Sequence, residues 1–266
     1  MGVAAAHFLY YTMNGRLCQS FLWKNVKSLR IILRIRVFHP TKLTNFMKNG
    51  LAIPDEIWYN NILSMFWKES LEMKLILASA SPRRREILSS LGVDFCVRTA
   101  DADETCDLAD PGARVEAISL RKCLAVEEVL RAEGSLNPDT VILASDTLVT
   151  LDGEFLGKPV DEADARRMLT MLAGRTHTVA SGLALRMGGR TVTAHELTGV
   201  TFASMTEDEI EDYLRTGESM GKAGAYAVQG HAARYITGIS GDYFNVVGLP
   251  VHRLYEVMRD GLGVRL

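Results

Sequence analysis

The chain has 266 residues, 47% of them hydrophobic, and a formal net charge of −2. That length can bury one or two sizeable cores, and so even a charge balance excludes a general nucleic-acid or membrane-surface binder. No run approaches the apolar length of a membrane span, and Cys18, Cys96, Cys106 and Cys123 form no CxxC or zinc-like spacing, which predicts free thiols in a reducing, cytoplasmic compartment.

The even balance conceals an asymmetry. Residues 1–50 carry eight Lys/Arg and no acid, whereas from Met73 onward 21 Lys/Arg face 28 Asp/Glu. The first 72 residues are basic and rich in long aliphatic and aromatic side chains, as in KSLRIILRIRVF (Lys27 to Phe38). A transit peptide and a membrane-surface amphipathic segment are two readings of such a stretch. A third, favoured by its lack of caps, turns or sustained period, is that translation begins at Met73 and residues 1–72 are an upstream artefact. A domain over 73–266 is expected either way.

From Lys74 strand and helix signals alternate, as in an α/β protein. Leu75-Ile76-Leu77 reads as a buried strand, and Ser81 and Pro82 as the cap and first position of a helix ending near Gly92. Its first turn carries Arg83, Arg84 and Arg85, where free amides and the helix dipole favour an anion and guanidinium forks match phosphate oxygens. A solvated charge cluster explains the same residues equally well. Phe95 to Val97 is a short strand, followed by an acidic loop with Asp101, Asp103 and Glu104 and by a helix from Ala113 to Arg131 that carries Lys122. Val141 to Leu151 is an apolar strand interrupted by Ser145-Asp146-Thr147, and Asp152-Gly153 turns it into a hairpin ending at Gly157-Lys158-Pro159. Asp161 caps a helix to Leu172. Two long strands (Thr176 to Met187, Thr191 to Ala203) meet at Gly188-Gly189, and Thr206 with Glu209 forms a capping box. A glycine-punctuated segment, Gly221 to Gly230, precedes a predicted strand over Ala232 to Ile239, and Pro250 opens the last helix.

Asp146 is the most informative single residue. A carboxylate inside an apolar strand is costly unless a cation or a hydrogen-bond network accompanies it. It is either a structural ion-pair partner or a metal ligand or general base at a cleft. Arginines at a helix start, Lys122, Lys158 and carboxylates at Asp146 and Glu104 together make up what a metal–triphosphate site requires. The six histidines sit singly, and neither GxSxG nor GxxxxGK[ST] occurs.

These residues carry a resemblance. ASASPRRREIL (Ala78 to Leu88), the acids of DADE (Asp101 to Glu104), Lys122, ASDTLV (Ala144 to Val149), GKP (Gly157 to Pro159), KAGAYAVQG (Lys222 to Gly230) and NVVGLP (Asn245 to Pro250) are similar, in order and spacing, to the Maf family of nucleoside triphosphate pyrophosphatases. The resemblance implies an elongated α/β fold with a central mixed sheet, helices on its flanks and a nucleotide cleft between two lobes. It implies a homodimer that splits a nucleoside triphosphate into monophosphate and pyrophosphate with Mg²⁺ or Mn²⁺. Carried over by position, Asp146 is the base that activates water; Ser81, Arg83, Arg84, Lys122 and Lys158 hold phosphates; Glu104 and Asp146 place the metal.

Three positions speak to the base. The branch acting on dTTP and UTP carries arginine, threonine and glutamine where this chain has Arg83, Thr147 and Gln229; the branch acting on 7-methyl-GTP carries tryptophan, glutamine and glutamate. A glutamine offers one donor and one acceptor to the O4 and N3–H edge of thymine or uracil. Ala227-Val228, Leu120 and Cys123 depart from the commoner family residues without touching the base or this trio. The expected function is therefore a house-cleaning dTTP/UTP pyrophosphatase, with a non-catalytic nucleotide sensor in septum control as the alternative.

Overall fold

The computed structural model describes residues 74–266, so the expectations for residues 1–72 and for a start at Met73 lie outside the described residues. Among the described residues, no helix is long and apolar enough to cross a membrane.

The long elements follow from local chemistry. β1 (Lys74–Leu77) buries Leu75, Ile76 and Leu77 on both faces, as a strand inside a parallel pairing does. It leads into α1 (Pro82–Ser90), then β2 (Phe95–Val97) and α2 (Pro111–Ala132). The Asp110 side chain accepts from Ala113 N at the start of α2, with Pro111 in the first helical position. β3 (Thr140–Leu151) runs unbroken through Ser145-Asp146-Thr147, the polar residues that interrupt its apolar run. The following turn holds Asp152 and Gly153 at φ of 51° and 82° and returns the chain into β4 (Glu154–Leu156). Asp161 caps α3 (Glu162–Leu172), and β5 (Thr176–Met187) and β6 (Arg190–Phe202) form the long hairpin. The capping box of Thr206 and Glu209 opens α4 (Glu207–Leu214) with both reciprocal bonds in place.

Two expectations need correction beyond this point. Residues His231–Tyr235 form a 3-10 turn, and only Ile236–Ser240 is strand (β7). A short helix, α5 (Tyr243–Val247), precedes α6 (Val251–Glu256), started by Asp242 accepting from Phe244 N. Both pieces are too short for periodicity to reveal them.

The seven-stranded mixed sheet has the order β2-β1-β3-β5-β6-β7, with β4 paired to β3 beside this path; it is parallel over β2-β1-β3 and antiparallel beyond, as an α/β fold of this kind is expected to be. Side-chain alternation sorts the core into two faces. Ile76, Ala78, Ile142, Ala144 and Ala184 pack against Cys123, Val126 and Leu130 of α2. Leu75, Leu77, Leu143, Val149, Leu183 and Leu185 face α1, α3, α4 and the C-terminal helices. On this second face the C-terminal segment sits by the start of β6, with Gly261 against Val192, whereas α3 and α4 join near the far end through Arg166 and Glu211. The two helix groups thus lie toward opposite ends of the long strands.

β3 is only partly paired along one edge. Its edge away from β5 pairs with β1 over Thr140 to Leu143 and with β4 over Val149 to Leu151. The stretch Ala144 to Leu148 between them has no strand on that side, a notch at the carboxyl end of β1 where ligands of α/β sheets commonly bind.

β5 buries a titratable ring among aromatic neighbours. His177 on β5 is 2% exposed and packs against the rings of Phe202 and Tyr226, with Nε2 2.8 Å from the Tyr226 hydroxyl. Burial pushes its pKa from 6.5 down to about 4. Between those values the unfolded chain binds the extra proton, so stability rises with pH across the window and is lost on acidification. Urea unfolding at pH 7 and pH 4 should differ by about 3 kcal/mol less in His177→Gln than in the parent chain. An equal acid loss in both would remove His177 from the account.

Candidate active site

The first wall is the β1–α1 turn. Ala78 N still donates to Leu143 O, at 2.7 Å, and the chain then leaves the sheet. Ser79, a residue the sequence reading passed over, organises the turn: its buried hydroxyl accepts from Ser81 N at 3.2 Å and from Arg84 Nη1 at 3.0 Å. Ser81 occupies the cap position as expected, but its side chain makes no capping bond. That hydroxyl and the first amides of α1 are donors of the kind a helix start offers an anion.

Arg84 joins three parts of the molecule. Besides Ser79, its Nε donates to Gly248 O at 2.8 Å and its Nη2 to Thr147 Oγ1 at 3.0 Å. Burial lowers its pKa, opposed by the charges of Asp146 and Glu104, and a guanidinium stays protonated regardless. Three of its five N–H groups are engaged by protein, which leaves two for a phosphate. An ammonium cannot span three separated acceptors. Arg84→Lys should therefore lower stability by about 2 kcal/mol, read by thermal unfolding, even though charge is conserved. An unchanged melting temperature would show that Arg84 does not tie the turn to β3.

Thr147 is the middle of a chain of hydroxyls. Ser181 Oγ donates to Asn245 O at 2.9 Å, so the 2.8 Å contact between Thr147 and Ser181 is donated by Thr147. Asn245, fully buried, donates in turn to Val179 O and Thr198 Oγ1. Gly248 O, held by Arg84, also accepts from Ser145 Oγ at 3.2 Å. The NVVGLP segment is thus fastened to the notch through hydroxyl and carbonyl groups. Neither the Thr147–Ser181 pair nor the Ser181–Asn245 pair was predictable, because nothing local links residues so far apart in sequence.

Asp146 points to the opposite face, toward α2. Lys122 Nζ lies 2.6 Å from Asp146 Oδ1 and 3.1 Å from Glu104 Oε1, so one ammonium bridges both carboxylates. The side chains of Lys122 and Asp146 are only 18% and 15% exposed, which excludes a casual surface pair. The acidic loop separates into two roles. Asp103 accepts from the hydroxyl and amide of Thr105, which holds its carboxyl below the usual range, while Glu104 reaches the site. Cys123, the neighbour of Lys122, is core: its thiol donates to Ile142 O and burial pushes its pKa up to about 12.

Among the described residues no three His, Cys, Asp or Glu side chains cluster as a metal cage. Two carboxylates converging on one cation are nevertheless the donor set of a hard divalent ion that completes its shell with phosphate and water. The carboxylate oxygens of Asp146 and Glu104 fit such an ion in kind.

The remaining predicted residues flank this centre. Lys158 is exposed beyond β4, in a loop fastened where Gly224 N donates to Gly157 O at 3.1 Å. Arg83 is half-buried; desolvation lowers its pKa and the charge of Glu218 opposes that shift. Gln229 is exposed, one residue beyond the buried Val228.

Sheet notch, helix start and bridged carboxylates define an α/β protein that gathers amide and cationic donors beside a carboxylate. The family model for Maf-like protein matches residues 74–261. Two relatives named dTTP/UTP pyrophosphatase, from Symbiobacterium thermophilum and Moorella thermoacetica, are each 47% identical to the chain, over 70% of its length and 92% and 93% of theirs. A third of that name, from Bacillus cytotoxicus, is 43% identical over 70% of the chain and 94% of its own. The chain belongs to the Maf-like family.

Proposed function

We propose that this protein is a nucleoside triphosphate pyrophosphatase that hydrolyses dTTP and UTP to the monophosphate and pyrophosphate. The observation that carries the reading is the meeting of Asp146, Lys122 and Glu104 at the unpaired edge of β3, beside the start of α1. The names borne by relatives that the chain matches over nearly their whole length support the same substrates. No feature of the site favours a sensor without catalysis.

In this reading the free amides of α1, the Ser81 hydroxyl and the unused donors of Arg84 take the phosphate oxygens, with Lys158 closing from beyond β4. Lys122 holds Asp146 in place and can turn its ammonium toward a phosphate when substrate enters. Asp146 accepts the proton of the water that attacks the α-phosphorus, and pyrophosphate leaves. A divalent ion on Asp146 and Glu104 would supply charge neutralisation on the phosphates. Arg83 and Gln229 face the base, where the amide of Gln229 matches the O4 and N3–H edge of a pyrimidine.

The homodimer belongs to the proposal as well, as does the cytoplasm, which the free thiols of Cys96, Cys106 and Cys123 support. The direct test is product identity. Purified protein with dTTP should release pyrophosphate and monophosphate, only when Mg²⁺ or Mn²⁺ is supplied; orthophosphate as the first product would defeat the reading.

A further inference from the structure

Glu218 lies in the loop after α4 and is absorbed by none of the roles above. Its amide donates to Thr216 Oγ1 at 3.2 Å, and its Oε2 accepts from His231 N at 2.8 Å. Its Oε1 stands 1.3 Å from where a Cβ on Gly230 would be, so the carboxylate occupies the place of a missing side chain. Gly230 has φ of −125°, outside the left-handed region that favours glycine. The seat of the carboxylate is reason enough for a glycine there.

Gln229 is the residue immediately before. Its turn closes where Gly230 N donates to Ala227 O at 3.1 Å, and the segment leading to it is strained, with Ala225 at φ of 60°. A non-glycine residue in that region persists only when its surroundings over-determine it. Arg83 from α1 and Lys222 both lie within reach of the Glu218 charge. The buried hydroxyl of Tyr213 lies beside Ala227 and close enough to Glu218 to feel the same charge.

We propose that Glu218 is a positioning residue for base selection, seating on Gly230 and gripping His231 N so that the turn presents Gln229 toward the base beside Arg83. The inference rests on the pyrimidine-specific reading above. Isolated turns of three or four residues sample many orientations, and a freely turning amide cannot discriminate one base edge from another.

The test is the ratio of kcat/KM for dTTP to that for dGTP. The parent chain should prefer dTTP, and Glu218→Ala should cut the ratio by about tenfold, chiefly through KM for dTTP. Gly230→Ala should act like Glu218→Ala, since its methyl evicts the carboxylate, and the double variant should be no worse than either. Glu218→Gln, which can still accept from His231 N, should return most of the preference. Amide exchange at His231 should accelerate in Glu218→Ala while β3 stays protected. If Glu218→Ala fails to fold, Gly230→Ala carries the same comparison. A parent chain that prefers dTTP and a Glu218→Ala variant that keeps that preference would overturn the inference alone. A parent chain with no preference would overturn the pyrimidine reading and this inference with it.

Discussion

Asp146→Asn should reduce turnover of dTTP by at least about 10³-fold while leaving nucleotide binding near that of the parent chain. The substitution keeps the shape of the side chain and removes its capacity to take a proton from water. Lys122 retains Glu104 at 3.1 Å, so its ammonium is not abandoned in a buried site, and large-scale unfolding is not expected. Binding is to be measured with a non-hydrolysable dTTP analogue, turnover by pyrophosphate release. The parallel variant Lys122→Met separates the two roles of that lysine: it should weaken analogue binding as well as slow turnover. Near-normal activity in Asp146→Asn would exclude this carboxylate as the base and move the search to Glu104.

The reasons why some of this was legible in the sequence and some was not are physical. Elements governed by local rules were readable: the Asp152-Gly153 hairpin, the Thr206–Glu209 capping box and the Asp161 cap each depend on residues within four positions. The 3-10 turn over His231–Tyr235 was not, because its apolar residues, Ala232 and Tyr235, fit a strand pattern and a tight helix alike. At the site, the residue types of Asp146, Lys122 and Glu104 announced a charge cluster, but only the fold states that one ammonium bridges both acids. Arg84 illustrates the other limit. Its sequence context reads as pure anion binding, whereas most of its hydrogen bonding is spent on Ser79, Thr147 and Gly248. Glu218 was invisible for a related reason: a lone acid in a glycine-rich loop has the composition of a solvated turn.

Gly182 had a readable signal that was overlooked, since an isolated glycine within a strand marks close backbone approach. It lies opposite Asp146 in the β3–β5 ladder. A Cβ there would stand 2.4 Å from the carbonyl carbon and oxygen of Val115 and 2.8 Å from Glu116 N. Those atoms are helix backbone, which no rotamer change can move aside. The glycine thus sets how closely α2 lies on the sheet, and α2 carries Lys122 two turns further on. Gly182→Ala must lift α2 or bend β5, and should cost about 3 kcal/mol in urea unfolding. In the fraction that remains folded, Lys122 no longer reaches Asp146 at 2.6 Å, and a displacement of about 1 Å at a reacting centre is enough to lower turnover about 10²-fold. Gly238→Ala on β7 is the matched control, because nothing stands within 4 Å of its Cβ. It should shift stability by less than about 0.5 kcal/mol. Were Gly182→Ala as stable and as active as the control, the approach of α2 to the sheet could not be what holds Lys122 against Asp146.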